Sequence, residues 1–234
     1  LAPYGYITPI TVILIGFVIV SVIISIVLSF TRYNIMTPPT FYGLKNYERL
    51  VTDTKFMKAL FNTLKLMVMI VPLQMILSLI VSVFLVSYRH MLIGKIANSV
   101  IFIPVLCSNA ATGVIWRELL NGKIPAVETF FGLFGIKASM LLGNAKTALA
   151  VVAAVAIWKM LGYYVVIYSS GLLGISESFY EAAKVDGANA FQTFTKITLP
   201  YMLYVTTPYL IVTFTGNVNN FNVIYLLSGG DPVT

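Results

Sequence analysis

Charged residues and cysteine are both scarce in this chain of 234 residues. Only 10% of its residues are charged and 59% are hydrophobic, whereas soluble domains carry about 25% charged residues. So little polar surface cannot cover a folded domain in water, which excludes an ordinary soluble protein and indicates a polytopic membrane protein. The single cysteine excludes an internal disulfide.

Residues that carry chemistry are equally sparse. The one histidine, His90, lies in a basic turn and the one cysteine, Cys107, lies in an apolar stretch. Neither has a catalytic or metal-ligand constellation near it, so we predict no catalytic residue, no metal site and no cofactor bound by this chain. The pattern G-x-x-x-x-G-K-[ST] is absent, so the chain cannot supply an ATP site. The net charge of +7 is scattered along the sequence, which is typical of proteins beside anionic lipid and does not indicate nucleic acid.

Five stretches are apolar and long enough to cross a bilayer, which takes about 20 residues. They are 7–30, 66–88, 96–116, 147–173 and 201–227. We therefore predict an all-α membrane helix bundle in which residues 1–234 form a single transmembrane domain. Before the second span, apolar residues recur at helical spacing and predict an amphipathic helix on the membrane surface. These residues are Tyr47, Leu50, Met57, Leu60, Phe61 and Leu64.

The polar loop between the fourth and fifth spans has the local signals of a helical hairpin. Ser178 followed by Glu181 is a capping-box pattern that predicts a helix start. Gly187 is the expected helix-ending residue, because glycine adopts a left-handed turn at little cost. Asn189 followed by Gln192 predicts a second N-terminal cap. Local chemistry therefore predicts a helix, a tight turn and a second helix.

The second half of this loop carries an apolar stripe that needs a packing surface. Phe191, Phe194 and Ile197 fall on one side of the predicted helix, and Pro200 precedes the next span. A hairpin this short cannot bury the stripe by itself. Periodicity leaves two interpretations open: the hairpin packs on its own bundle, or it docks on a partner.

The loop 176–200 resembles the signature of permease subunits of binding-protein-dependent ABC importers. That signature reads E-A-A, three residues, G, nine residues, I-x-L-P, and it matches Glu181, Ala182, Ala183, Gly187, Ile197, Leu199 and Pro200. Asp186 and Ala188, on either side of the glycine, are similar to the sugar-importer branch, the family of the maltose transporter permeases. The segments IFIPVLCSNAATGVIW, IWKMLGYY and NNFNVIYLLSGGDP resemble the same branch.

The resemblance implies a type I ABC importer permease, of which five spans are visible here and a sixth core span is missing. It implies that the loop is a coupling helix seated on a cytoplasmic ATPase. The residues expected to serve that contact are Glu181, Ala182, Ala183, Asp186, Gly187 and Ala188. The implied partners are two ATPase subunits that bind ATP and Mg, a second homologous permease, an extracytoplasmic solute-binding protein and a sugar. The implied location is the bacterial or archaeal plasma membrane.

The predicted spans contain no Asp or Glu, which argues against an ion-coupled secondary transporter or a proton pump. Similarity to the maltose permease implies a sugar pathway lined by Trp158, Tyr163, Thr213, Gly216, Asn217 and Asn220. Aromatic rings and amides suit the C–H faces and the hydroxyls of sugars. Alternatives stay open: a channel or secondary transporter without ATP, an importer of another solute, and plain helix packing for Trp158. For Lys159, a structural bond or a snorkelling side chain competes with a role in the pathway.

The distribution of basic residues conflicts with a cytoplasmic coupling loop. If residues 176–200 face the cytoplasm, fewer Lys and Arg lie on that side than on the other, the reverse of the usual bias. The cytoplasmic group is Arg89, Lys95, Lys184 and Lys196, and the opposite group is Arg32, Lys45, Arg49, Lys55, Lys58, Arg117, Lys123, Lys137 and Lys146. We give the motif precedence, because a hairpin driven by ATP has no fuel outside the cell.

Overall fold

The computed structural model describes residues 2–218 and 227, in two compact units, Leu1–Leu60 and Phe61–Thr234. The elements in chain order are α1 (Ala2–Ile13), a π-helical segment (Leu14–Ile19), α2 (Val20–Ser29), β1 (Thr31–Asn34), β2 (Thr37–Phe41), α3 (Lys45–Thr52), α4 (Thr54–Ser87), α5 (Leu92–Leu106), α6 (Asn109–Leu119), α7 (Pro125–Gly132), α8 (Ala138–Gly143), α9 (Ala145–Leu173), α10 (Glu177–Val185), α11 (Ala190–Thr193), a second π-helical segment (Phe194–Thr198) and α12 (Leu199–Val218).

The first unit contains the first span and a short β-ribbon. The span is the helix Tyr4–Ser29, whose side chains are exposed along its length, as expected of an apolar helix that faces lipid. Strands β1 and β2 pair in antiparallel fashion directly after it. The side-chain amide of Asn46 donates to the carbonyl oxygens of Ser29 (2.9 Å) and Thr31 (2.8 Å), which ties α3 to the end of the span. This ribbon was not predicted from the sequence.

The predicted single amphipathic helix before the second span is wrong in its extent. Helix α3 ends at Thr52, and Asp53 has extended backbone with φ −73° and ψ 107°. The carboxylate of Asp53 accepts hydrogen bonds from the backbone N–H groups of Lys55 (2.9 Å) and Phe56 (3.2 Å). Asp53 therefore caps a new helix, α4. The first N–H groups of a helix have no carbonyl partner within it, and the Asp53 carboxylate supplies one. Helix α4 then runs without a break into the second span.

The third predicted span, 96–116, is not one straight helix. Helices α5 and α6 meet at an angle of 97° across a short break. Cys107 and Ser108 are both extended at the break, and the Ser108 hydroxyl accepts a hydrogen bond from the N–H of Ala111 (3.0 Å), which starts α6. Four helices of the described residues are long and apolar enough to span a membrane, and the bent pair brings the number to five if it is counted as one span. With that count, the five-span prediction is confirmed.

Helix α9 lies at the centre of the second unit, where it contacts α4, α5 and α12. Glycine at position 162 permits a close approach to α5: a Cβ atom there would lie 2.2 Å from the carbonyl oxygen of Ile101. On another face, the rings of Tyr164 and Tyr209 pack edge to face with their centroids 4.4 Å apart. Residues on α9 therefore hold both the bent span and the fifth span.

The segment between the bent span and α9 is fixed by one carboxylate. Glu128, in α7, accepts hydrogen bonds from the backbone N–H groups of Ala138 (3.1 Å) and Ser139 (2.9 Å) at the start of α8. The N–H of Ser139 is the main cause that holds the pKa of Glu128 below its ordinary value of 4.5, and the N–H of Ala138 and the nearby Lys137 act in the same direction. The ionised carboxylate is thus the form that stabilises this turn.

We expect the α7–α8 segment to loosen in acid. Because the pKa of Glu128 is lowered by folding, its stabilising effect is present above the ordinary pKa of 4.5 and is lost as the pH falls through the lowered value. Hydrogen exchange at Ala138 and Ser139, corrected for the intrinsic rate at each pH, should show protection that falls in this window. Glu128→Gln should lose protection at neutral pH as well, whereas Glu118→Gln, a change on α6, should match the parent. Protection in the parent that is independent of pH would contradict this role.

Candidate coupling hairpin and solute pathway

Helix α10, the first arm of the hairpin, starts two residues earlier than the sequence predicted. Its N-cap is Ser176, whose hydroxyl accepts a hydrogen bond from the N–H of Ser178 (3.4 Å), and the helix begins at Glu177. The predicted Ser178–Glu181 capping box is therefore wrong. Two serines of equal capping ability stand two residues apart, and the buried Ile175 fixes where the chain leaves α9.

The turn at Gly187 is confirmed as the end of the first arm. Gly187 has φ +73°, a left-handed conformation that a residue with a Cβ atom adopts only at a cost. The N–H of Ala188 bonds to the carbonyl oxygen of Ala183 (2.9 Å), and the N–H of Gly187 bonds to that of Lys184 (3.2 Å). This pair of bonds is the Schellman motif, which satisfies carbonyls at the helix end.

The second arm has the predicted cap at Asn189. Its side chain accepts from the N–H of Gln192 (2.9 Å), while the Gln192 side chain accepts from the N–H of Asn189 (2.9 Å), a complete capping box. Pro200, predicted to precede the fifth span, does not interrupt the chain there, because one helix continues from Ala190 to Gly216. The π-helical segment before Pro200, in which the N–H of Leu199 bonds to the carbonyl of Phe194, widens the backbone where a proline ring would otherwise clash.

The tip of the hairpin carries apolar side chains without cover in the described structure. Val185 is 87% exposed and Phe191 is 75% exposed. Of the predicted coupling residues, Glu181, Ala182, Asp186 and Gly187 are exposed, Ala188 is half-buried and Ala183 is buried under the hairpin.

The base of the hairpin is held by a contact between its two arms and by a contact with α12. The hydroxyls of Tyr180 and Thr198 lie 3.1 Å apart. The rings of Phe179 and Tyr201 pack with centroids 5.2 Å apart, which joins α10 to α12. The apolar stripe is thus divided: Ile197 packs against the bundle, and Phe191 at the tip remains exposed.

Lys159 makes the structural bond that the sequence analysis left as one alternative. Its amine nitrogen donates to the carbonyl oxygens of Pro104 (3.2 Å) and Cys107 (2.6 Å), at the break between α5 and α6, and the side chain is buried. A basic side chain at a helix C-terminus satisfies terminal carbonyls and complements the helix dipole.

The predicted pathway residues on α9 are accessible aromatic side chains. Trp158 is 43% exposed, and its ring packs edge to face on that of Trp116 in α6 with centroids 5.4 Å apart. Tyr163 is 38% exposed and contacts Tyr164. Trp158 therefore packs in the bundle and still presents part of its ring.

The predicted pathway residues near the end of α12 differ from one another in placement. Thr213 is fully buried, and its hydroxyl donates to the carbonyl of Tyr209 (2.8 Å). Gly216 is exposed, and a Cβ atom there would meet nothing within 4 Å. Asn217 belongs to α12, but its side chain lies outside the described residues, as does Asn220 altogether.

A row of buried polar residues along α4 was not predicted from the sequence. Gln74, Ser78 and Ser82 are each buried and recur at intervals of four residues. Ser78 faces the Tyr209 hydroxyl, with 3.3 Å between the two oxygens. The signal was present in the sequence, since polar residues four apart in an apolar span share one face of a helix.

Similar proteins include several transport permeases. The "Multiple sugar-binding transport system permease protein MsmF" of Streptococcus mutans is 31% identical over 206 residues, which is 87% of this chain and 70% of that protein. The "Maltose/maltodextrin transport system permease protein MalF" of Salmonella typhimurium is 34% identical over 196 residues, which is 81% of this chain and 38% of that protein. The fold is similar to a chain in the crystal structure of a bacterial alginate ABC transporter in complex with an alginate pentasaccharide-bound periplasmic protein, with a TM-score of 0.80, 20% identity, and coverage of 100% of this chain and 77% of that one.

The family match covers the whole second unit, including the hairpin. Residues 54–234 match the family described as "Binding-protein-dependent transport system inner membrane component". This range contains α4, the bent pair α5 and α6, α9, and the continuous helix Ala190–Gly216, which forms the second arm of the hairpin and the fifth span. The chain is a multi-pass membrane protein and belongs to the family of inner membrane components of binding-protein-dependent transport systems.

Proposed function

We propose that this chain is the membrane-spanning subunit of an ATP-driven importer and that residues 176–200 are the part on which partner ATPases act. The construction of the hairpin carries the proposal: it is capped at both arms, exposed at the tip and packed at its base against α12. The backbone from Ala190 to Gly216 is one helix. A partner that moves the tip therefore moves the fifth span as a rigid body.

The proposed docking surface combines a polar and an apolar contact. Glu181 and Asp186 would offer carboxylates to the ATPase, and Val185 and Phe191 would offer apolar area. Ala182 would contact the partner beside them, and Ala183, Gly187 and Ala188 would set the shape of the turn. An exposed apolar patch rimmed by charge is typical of a protein interface.

Other subunits supply what this chain does not. Two ATPase subunits would bind ATP and Mg, a second similar permease would complete the pathway, and an external binding protein would deliver the solute. The family description names a binding-protein-dependent system. The description of the alginate transporter structure names a bound periplasmic protein. The complex would lie in the plasma membrane of a bacterium or archaeon.

A sugar or oligosaccharide is the solute class that we propose. The two relatives carry sugars in their names. Helices α4, α9 and α12 contain no Asp or Glu, so they offer no acidic site to a polyamine or a coupling cation. The proposed pathway residues are Trp158, Tyr163, Thr213, Gly216, Asn217 and Asn220.

Uptake into vesicles tests the importer and its solute separately. The reconstituted complex with its purified binding protein should take up labelled sugar only with ATP inside, and amino acids should not enter. Uptake driven by an ion gradient without ATP would overturn the importer. ATP-driven uptake of amino acids but not of sugars would keep the importer and overturn the solute class.

Asn217→Ala should lower sugar uptake about tenfold without lowering assembly. A hydrogen bond to a solute stripped of water contributes roughly 1–2 kcal/mol, and about 1.4 kcal/mol is a factor of ten. Thr207→Val is the control, because Thr207 lies on the same helix, is exposed and bonds only to the Leu203 carbonyl (3.1 Å) among the contacts described. Equal uptake by the two variants would remove Asn217 from the pathway.

A further inference from the structure

A polar cavity lies near the base of the hairpin, where α4 ends and α5 begins. It has a volume of about 160 Å³ and is bounded on its third side by α9. Its polar lining comes from Arg89, Lys95, Asn98 and Ser169, and its apolar wall includes Leu85 and Leu173. None of these side chains belongs to the pathway or to the hairpin tip.

The polar lining favours an anion. Arg89 and Lys95 bring two cations to one cavity, and the Asn98 amide adds N–H donors. The Nε–H of Arg89 donates to His90 (3.0 Å), which orients the guanidinium and leaves its terminal N–H groups for other contacts. Arginine and lysine together suit a phosphate, arginine through its planar fork and lysine as a point charge.

The acid nearest to these cations does not neutralise the cavity. Glu177 approaches a terminal nitrogen of Arg89 at 3.7 Å, but their side chains are 84% and 42% exposed. An ion pair so exposed is worth little. The Ser169 hydroxyl oxygen, in contrast, is buried and has no hydrogen-bond partner among the described residues. A buried polar atom of this kind calls for a ligand atom or water.

The position and the wall of the cavity indicate what carries the anion. The turn that holds Arg89 joins two membrane elements, α4 and α5, so it lies at the level of the lipid headgroups. Leu85 and Leu173 continue from the polar end along the spans. Basic pockets between spans are binding sites for anionic lipid headgroups.

We propose that this cavity binds the phosphodiester headgroup of an anionic phospholipid. Arg89 and Lys95 bind the phosphate, Asn98 and Ser169 donate to its oxygens, and an acyl chain runs along Leu85 and Leu173. The site is separate from the solute pathway, so the proposal does not depend on which solute the complex transports.

Native mass spectrometry of the delipidated complex, titrated with phosphatidylglycerol or phosphatidylcholine, tests the site. Phosphatidylglycerol should bind to this chain more tightly than phosphatidylcholine, because both carry a phosphate but Arg89 and Lys95 repel the choline cation. Lys95→Gln should weaken phosphatidylglycerol binding about fivefold, and the pair Arg89→Gln with Lys95→Gln roughly thirtyfold, as expected for each basic residue near a lipid surface. Lys123→Gln with Lys137→Gln is the matched control, since both are exposed and lie outside the cavity.

Three outcomes would overturn the proposal. The first is equal binding of the two lipids, and the second is equal weakening by the control pair. The third is binding of inorganic phosphate as tight as that of phosphatidylglycerol with the same dependence on Lys95, which would assign the cavity to a soluble anion. If the double variant does not assemble, the single variant Lys95→Gln still tests the site. Lys95 is exposed at the start of α5, so its replacement leaves the core intact.

Discussion

A Gly187→Val variant is expected to lose ATP-driven uptake while the spans still insert and the subunits still assemble. Gly187 has φ +73°, and a Cβ atom at this position would meet nothing within 4 Å. The penalty is therefore conformational, roughly 1–3 kcal/mol for a β-branched residue in this region. The relaxed turn gives up the bonds of Gly187 and Ala188 to α10, so the tip no longer moves with the spans. We expect uptake to fall at least tenfold and stimulation of ATP hydrolysis by the binding protein to disappear.

The protein contains its own control for this change. Gly135 has φ +71°, also with nothing within 4 Å of a Cβ atom, and its turn has the same pair of bonds, from Gly135 to Gly132 (3.0 Å) and from Ile136 to Phe131 (3.1 Å). Gly135→Val should cause the same local strain and leave uptake coupled to ATP. Gly187→Asn should restore part of the uptake, because asparagine tolerates the left-handed turn. If both valine variants transport equally well, the coupling role of Gly187 is wrong.

A Lys159→Met variant is expected to destabilise the whole bundle. Methionine has a similar length but no donor, so the carbonyl of Cys107 would lose its 2.6 Å bond inside the protein. A hydrogen bond from a charged group contributes about 1.5–3 kcal/mol. The break between α5 and α6 would lose the bond that ties it to α9. We expect the melting temperature of the purified complex to fall by roughly 5–10 °C, measured as the fraction that remains monodisperse after heating.

Two further variants separate the bond from the charge. Lys159→Arg keeps donors at the break and should lose less stability than Lys159→Met. Lys65→Met removes a lysine that is exposed on α4 and should leave the melting temperature unchanged. A Lys159→Met complex that is as stable as the parent but transports poorly would assign Lys159 to the pathway instead of the fold.

The sequence by itself determined the features that depend on neighbouring residues. The membrane class and the number of spans follow from runs of apolar residues, since these must exceed the hydrocarbon thickness wherever they pack. The turn at Gly187 and the capping box of Asn189 and Gln192 were predicted correctly, because a cap is made by atoms within a few residues of one another. The family, too, was identified from the spacing within this one loop, and the match over residues 54–234 confirms it.

The tertiary structure decided the features that depend on distant residues. The sequence contains Pro104 and Ser108, but the 97° bend is held by Lys159, which lies more than 50 residues further along the chain. The choice of Ser176 over Ser178 as cap was likewise not local, since burial of Ile175 sets the point at which α9 ends. Two equivalent local signals differ too little in energy for sequence to rank them, so packing decides between them.

The same reason explains the lipid cavity. Arg89 and Lys95 stand near each other in sequence, whereas Ser169 and Leu173 reach the cavity only because the end of α9 packs against α4 and α5. Basic residues scattered along a sequence do not by themselves predict a binding site. Folding made a site of these residues, because it brought two cations, a buried hydroxyl and an apolar wall to one cavity.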